Sequence, residues 1–273
     1  MKSVDQLRGF FQSDLSGEIR KLEGKRKMIV FKIVALIILL TILFIASIIA
    51  ILHFKLSIGW IVLSVLVFGA MGYVFVSDIA GNKDFYIDFK VKVIEQIVRF
   101  IDKSFSYNPH KFIPLGEFKE SMIFTDHVTE YKGDDYVNGF IGANIRVEFS
   151  EIVAGTKDKN DKKGENKPLF KGLYFVAHLP ENFASETVVK ARVSGKAPLP
   201  THNGQQLVET GDPLFDKHFA TFSTDGNESK RILSSVLRST LNEIKNHLHE
   251  DFVVSFVNNK IFVAISHQKD LFE

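Results

Sequence analysis

"IVALIILLTILFIASIIAIL", Ile33 to Leu52, carries two polar side chains in twenty residues, Thr41 and Ser47, and no charge. A bilayer's hydrocarbon core is about 30 Å thick and a helix rises about 1.5 Å per residue, so about 20 apolar residues cross it. Fifteen of the twenty are Ile, Leu, Val or Phe, each worth about 0.3–0.6 kcal/mol near the bilayer centre. The run therefore reads as a membrane-spanning helix. A cleaved export signal fits less well, because hydrophilic residues 1–27 precede it and it is longer than a signal core. After only "HFKLS" comes "IGWIVLSVLVFGAMGYVFV", Ile58 to Val76. Two spans joined so closely are expected to form an antiparallel helical hairpin.

The charges flanking the spans give a direction. Arg20, Lys21, Lys25, Arg26, Lys27 and Lys32 crowd the entrance to the first span, and Lys83, Lys90 and Lys92 follow the second, whereas the turn holds only Lys55. The positive-inside rule then puts both termini in the cytoplasm. Trp60 and Tyr73 sit near opposite ends of the second span, where amphipathic rings prefer to lie. Only Thr41, Ser47, Ser64 and small residues occupy mid-membrane, which argues against a conducting path through the spans themselves. Residues 69–72, "GAMG", suit close helix packing within the hairpin.

Net charge is +2, but residues 1–27 hold seven Lys or Arg against four acids. The part after Lys55 is slightly acidic, a poor electrostatic match to a nucleic-acid backbone. Cysteine is absent, so no disulfide, thiolate nucleophile or cysteine zinc site exists.

Outside the spans, Leu7, Phe11, Leu15, Ile19 and Leu22 recur at helical spacing, as do Ile87, Val91, Ile94, Val98 and Ile101. Both stretches predict amphipathic flanking helices, the first lying on the bilayer or packing against the second. Pro109 and Pro114 end the second helix, expected over 84–103, and "EFKESMI" suits a short helix. From about Phe124 the period becomes two. "FIGANIRVEFSEIV" reads as one strand with a buried face through Ile141, Ala143, Ile145, Val147 and Phe149. "PLFKGLYFVAHL" and "ETVVKARV" read as two more, and "TKDKNDKKGENK", Thr156 to Lys167, as a solvated hairpin loop. "STDGNESKRILSSVLRSTLNEIKNHL" predicts one long helix capped by Thr224 or Asp225. "FVVSFVNNKIFVAIS" predicts a terminal hairpin turning at Asn258 and Asn259. The division expected is a cytoplasmic amphipathic helix over 1–27, a transmembrane hairpin over 28–78, a juxtamembrane helical connector over 79–120, and a cytoplasmic α+β domain over 121–273. That domain is a largely antiparallel sheet packed by a long helix.

Chemistry is sparsely signalled. The nine histidines are scattered, and His247 and His249 would face different sides of a helix. There is no nucleophile elbow, phosphate loop or His-Glu-x-x-His motif, so no catalytic residue, cofactor site or metal-ligand spacing is recognised, and an enzyme is not expected. The acidic stretch "KGDDYVNG", Lys132 to Gly139, with Asp134 and Asp135, reads first as a turn entering a strand and otherwise as a patch for a cation or a partner. Ser150 and Glu151, in "EFSEI", are the other polar candidates, with no base to pair with.

The segments "GDDYVNGFIG", "FSEI", "LFKGLYFVAHL", "FDKHFATFSTDGNESKRIL" and "FVVSFVNNKIFVAI", behind a two-span hairpin, resemble a bacterial membrane-protein family catalogued as domain of unknown function 3137. The resemblance marks Asp135, Gly139, Ser150, Glu151, Phe170, Gly172, Phe219 and Asp225 as recurrent positions. After Asp225 this chain reads Ser229, Lys230, Arg231 where the family often has Ala-Arg-Tyr. The resemblance implies a bacterial inner-membrane location and supplies no activity or cofactor. The expectation is a multi-pass protein of the lipid bilayer whose cytoplasmic domain binds a protein or lipid partner in a scaffold or regulatory role, with homo-oligomers allowed and nucleic acid not expected. The alternative is a small oligomeric channel or transport accessory gated by that domain.

Overall fold

The computed structural model describes residues 4–55, 57–80, 90–157, 166–192, 198, 204–248, 250–269 and 271. Outside them lie 84–89 of the second expected amphipathic helix, 158–165 of the lysine-rich loop, Lys83 and His249. The chain divides into two compact units, Met1–Gln96 and Ile97–Glu273.

In the first unit, α1 (Val4–Phe10) passes through one π-helical turn (Phe11–Leu15) into α2 (Ser16–His53). Asp5–His53 is long and apolar enough to cross a membrane, the one such helix among the described residues. A tight turn follows, with the Phe54 amide donating to the Ala50 carbonyl at 2.9 Å, and leads into α3 (Ile58–Ala80), whose described apolar stretch is the shorter Gly59–Phe75. The two apolar helices touch, with the Phe44 and Phe68 rings edge-on at 5.7 Å. Their few hydroxyls bond back into their own helices: Thr41 Oγ1 donates to the Ile37 carbonyl at 2.7 Å and Ser64 Oγ to that of Trp60 at 3.0 Å. No hydroxyl partner outside the helix is then needed in an apolar medium. A second π-helical turn (Lys90–Ile94) leads into α4 (Glu95–Ile101). It contacts α2, and Leu15, Leu22 and Val93 are buried. Of the two expectations for the basic N-terminal flank, packing on the second flank is the one observed.

The second unit is a nine-stranded antiparallel sheet in the order β1-β2-β3-β4-β9-β8-β5-β7-β6. In chain order it contains β1 (Ser106–Asn108), α5 (Leu115–Glu120), β2 (Glu130–Ile141), β3 (Ile145–Lys157), β4 (Asn166–His178), β5 (Thr187–Ala191), β6 (Gln206–Val208), α6 (Pro213–His218) and β7 (Phe219–Ser223). It ends with α7 (Gly226–Ile232), α8 (Ser235–His247), β8 (Phe252–Val257) and β9 (Lys260–Ser266).

Successive side chains of a strand point to opposite faces, and β9 uses both. Phe262 and Ala264 join a core with Ile113, Phe118, Ile152, Phe170 and Tyr174. Ile261, Val263 and Ile265 pack on a second core built from Val189, Phe215, Phe219, Leu233, Leu241 and Phe252. The sheet is therefore covered on both faces, by α5 and its flanking loops on one and by α6 to α8 on the other, rather than half-solvated as the alternation suggested.

Three local expectations are corrected. "FIGANIRVEFSEIV" is two strands, because Gly142 at φ +64° opens a three-residue turn that pairs Ile141 with Ile145. "KGDDYVNG" is not a turn but lies inside β2, where a bulge between Asp134 and Val137 shifts the register and holds Asp135 at φ +56°. The long helix after Asp225 is two, since Leu233 leaves helical geometry and Ser234 caps α8 by accepting from the Leu237 amide. Asp225 is the cap of α7, accepting from the amides of Asn227 and Glu228. The terminal hairpin turns at Asn258, φ +53°, as expected.

Candidate functional site

The β2 bulge makes the site. Asp134 faces Glu151 directly across the β2–β3 ladder, a pairing of like charges that sheets ordinarily avoid. The extra residue at the bulge carries Asp135 alongside, so carboxylate oxygens of Asp134, Asp135 and Glu151 lie within 4.8 Å of one another. Asp135 is 1% exposed and Glu151 8%. At such separations each pair of ionised carboxylates repels by about 3 kcal/mol at an effective dielectric constant near 20. Hydrogen bonds offset part of this: the Tyr107 hydroxyl donates to Asp135 Oδ1, and the Leu271 amide donates to Glu151 Oε1 at 2.7 Å. Burial, then the negative charges of Asp135 and Asp134, hold Glu151 above the ordinary carboxylate range, against the opposing pull of the Leu271 amide and His267. Burial together with the bond to Asp135 pushes the Tyr107 phenol far up, so it remains a donor.

A cavity of about 230 Å³ opens beside these groups, lined by Asp134 and Glu151 with Lys132, Lys171 and His267. Two glycines in its wall let strands close up. A Cβ on Gly133 would stand 2.3 Å from the Glu151 carbonyl oxygen, and one on Gly172 would stand 2.0 Å from that of Ile265. His267 is 7% exposed, and both ring nitrogens are shut off from solvent with no hydrogen-bond partner among the described residues. Its backbone amide, bonded to the Lys171 carbonyl at 3.0 Å, ties it beside β4.

Of the four candidates from the sequence, Asp134, Asp135 and Glu151 thus converge. Ser150 does not: the strand's alternation turns it to the other face, where it is fully buried and its Oγ accepts from the Ile113 amide at 3.0 Å. Tyr107, His267 and Leu271 were missed, because contacts across 28 to 120 residues leave no spacing signal.

A second polar cluster sits on Ser150's face. Glu148, 2% exposed, accepts from the Tyr136 hydroxyl and from Arg146 Nη2 at 2.9 Å, and lies 2.6 Å from His178 Nε2. Glu117 and Glu120 both accept from Lys260 Nζ, at 2.9 and 2.7 Å. Burial raises the Glu148 pKa, but the bonds from Tyr136 and His178 and the Arg146 charge outweigh it and hold the carboxyl below its usual range. Three acids here face three basic side chains in a network that satisfies itself, the arrangement of a structural ionic core. His178 and His267 each sit beside buried carboxylates, whereas His247 is exposed.

No curated protein matches the chain. Among solved structures, the crystal structure of the mycobacterial trehalose monomycolate transport factor A, TtfA, is similar at 12% identity and a TM-score of 0.38, over 66% of this chain and 85% of that one. Residues 168–273, which include Gly172, His267 and the terminal hairpin, match the model of the family described as "Protein of unknown function (DUF3137)".

Proposed function

We propose that this protein is a membrane-anchored binding module: α2 and α3 cross the bacterial inner membrane as a hairpin, and the antiparallel sheet unit binds a protein or lipid partner on the cytoplasmic side, in a scaffold or regulatory role rather than a catalytic one. The observation that carries the reading is the apolar surface of the first unit. Ile42 is 58% exposed and Leu52 65%, in a helix with no ionisable group between Lys32 and His53. Water does not tolerate an apolar face of that length, and hydroxyls bonded within their own helices suit hydrocarbon. The sheet unit supports the second half of the reading, since it has its own two-sided core. The slightly acidic charge after Lys55 favours a protein or lipid partner over nucleic acid.

Because the chain lacks cysteine, single-cysteine variants test the anchoring directly. An impermeant maleimide added to spheroplasts should label Ser57→Cys, in the turn between the spans, and spare Asn182→Cys, exposed in the sheet unit, until the cells are lysed. Labelling of Asn182→Cys in unbroken spheroplasts would overturn the topology. Affinity capture in mild detergent that recovers no specific protein, together with absent vesicle binding, would overturn the partner reading. A closed ring by mass photometry in nanodiscs would favour a pore-forming assembly instead.

A further inference from the structure

We propose that Asp134, Asp135 and Glu151, completed by His267, form a binding site for a divalent transition-metal ion such as Zn²⁺. The inference concerns the sheet unit alone and does not depend on the membrane reading. Its first ground is geometric. Three carboxylate oxygens within 4.8 Å of one another enclose a point that lies within metal–oxygen reach of all three after small side-chain adjustments, since zinc sits about 2.0–2.2 Å from each carboxylate oxygen it binds. Cross-strand pairing holds Asp134 and Glu151 in register, and the bulge adds Asp135. The ligands therefore stand on a paired sheet rather than on a mobile loop.

The second ground is independent of the acids. His267 lines the same cavity as Asp134 and Glu151, is more than nine-tenths buried, and has neither ring nitrogen hydrogen-bonded among the described residues. Leaving buried ring nitrogens unsatisfied is unfavourable, and a bound cation is the partner that an imidazole nitrogen beside carboxylates would take. In the other polar cluster the opposite holds, for His178 and Glu148 already bond each other. The mixed donor set selects the ion: imidazole favours Zn²⁺ and its transition-metal neighbours, whereas Mg²⁺ and Ca²⁺ prefer oxygen alone. The cavity's 230 Å³ leaves room for water on the metal.

The test uses the full chain in detergent, stripped with a chelator and titrated with Zn²⁺ against a fluorescent zinc indicator. One saturable equivalent is expected, undisplaced by a thousandfold excess of Mg²⁺. His267→Ala should weaken binding by about 100-fold or more, since loss of even an outer-shell partner costs about 10–100-fold. Asp134→Asn, at a half-buried position where the fold is least disturbed, should weaken it comparably and decides the matter if His267→Ala does not fold. Glu117→Gln, in the other cluster, should bind as the parent does. The proposal is overturned if the parent chain shows no saturable binding, if folded Asp134→Asn or His267→Ala binds as tightly as the parent, or if Glu117→Gln is the variant that loses the ion.

Discussion

Ser150 shows what one hydroxyl does when a strand turns it inward. Fully buried, it accepts from the Ile113 amide and so fixes the loop that carries Ile113 and Phe118 into the first core. Ser150→Ala leaves that amide unsatisfied, and a loss of about 1–3 kcal/mol is expected, read as a lower urea midpoint at unchanged slope. Glu148 makes a prediction of the opposite kind, one that depends on pH. Its folded pKa lies below the ordinary value of 4.5, so the stability it contributes is fully present above about 4.5 and is lost as the pH falls through the folded value. Glu148→Gln should therefore be less stable than the parent chain at pH 7, by about 1.5–3 kcal/mol for a buried hydrogen bond to a charged group. That gap should narrow as the pH falls below about 4.5. Urea midpoints for both proteins on either side of that pH check this, and a gap that stays constant would rule the linkage out.

Among the elements, those set by local chemistry were legible and those set by distant partners were not. Asn258 and Asn259 between two apolar runs announce their hairpin, and Asp225 announces a helix start, because turn and cap preferences act within four residues. The β2–β3 hairpin hid itself. Its three-residue turn keeps Ile141, Ala143 and Ile145 in step, so the alternation runs straight through the reversal. The strand β7 has all five residues buried and shows no alternation at all, and β1 and β6 are too short to carry a pattern. In the helical run after Asp225, the apolar period continues across Leu233, but Leu233 is drawn into the second core and Ser234 restarts the helix. Half of the candidate site was visible as acidic stretches. The other half depends on His267 and Tyr107, brought in by sheet order. Two caps in succession also predict a division of labour. Asp225→Ala removes an acceptor for two amides of α7 and should cost about 1 kcal/mol. Ser234→Ala should cost about as much at α8, and the double variant should lose the sum, because the caps share no partner. Denaturant melts of the three variants measure this, and a double variant no worse than either single would mean the two helices unfold as one piece.

At the scale of the molecule, the apolar side chains divide between two settings. Every residue of the two hydrophobic cores falls between Phe112 and Ile265, while the apolar side chains of α2 and α3 are largely exposed. A sheet buried on both faces has no need of the first unit to complete its interior. A chain shortened to residues 97–273 removes none of the core side chains and leaves every strand its partners. It should therefore fold in water without detergent, give a near-ultraviolet circular dichroism signal from the packed Phe118, Phe124, Phe170 and Tyr174 rings, and unfold in one cooperative step. The full chain should instead require detergent, with helicity from α2 and α3 persisting after the sheet's signal is lost, because backbone bonds inside an apolar medium have no water to exchange with. A shortened chain that bound hydrophobic dye and lacked near-ultraviolet signal would be a loosely packed globule. The sheet would then owe its order to the first unit, and the proposed separation of a binding unit from a membrane unit would fail with it.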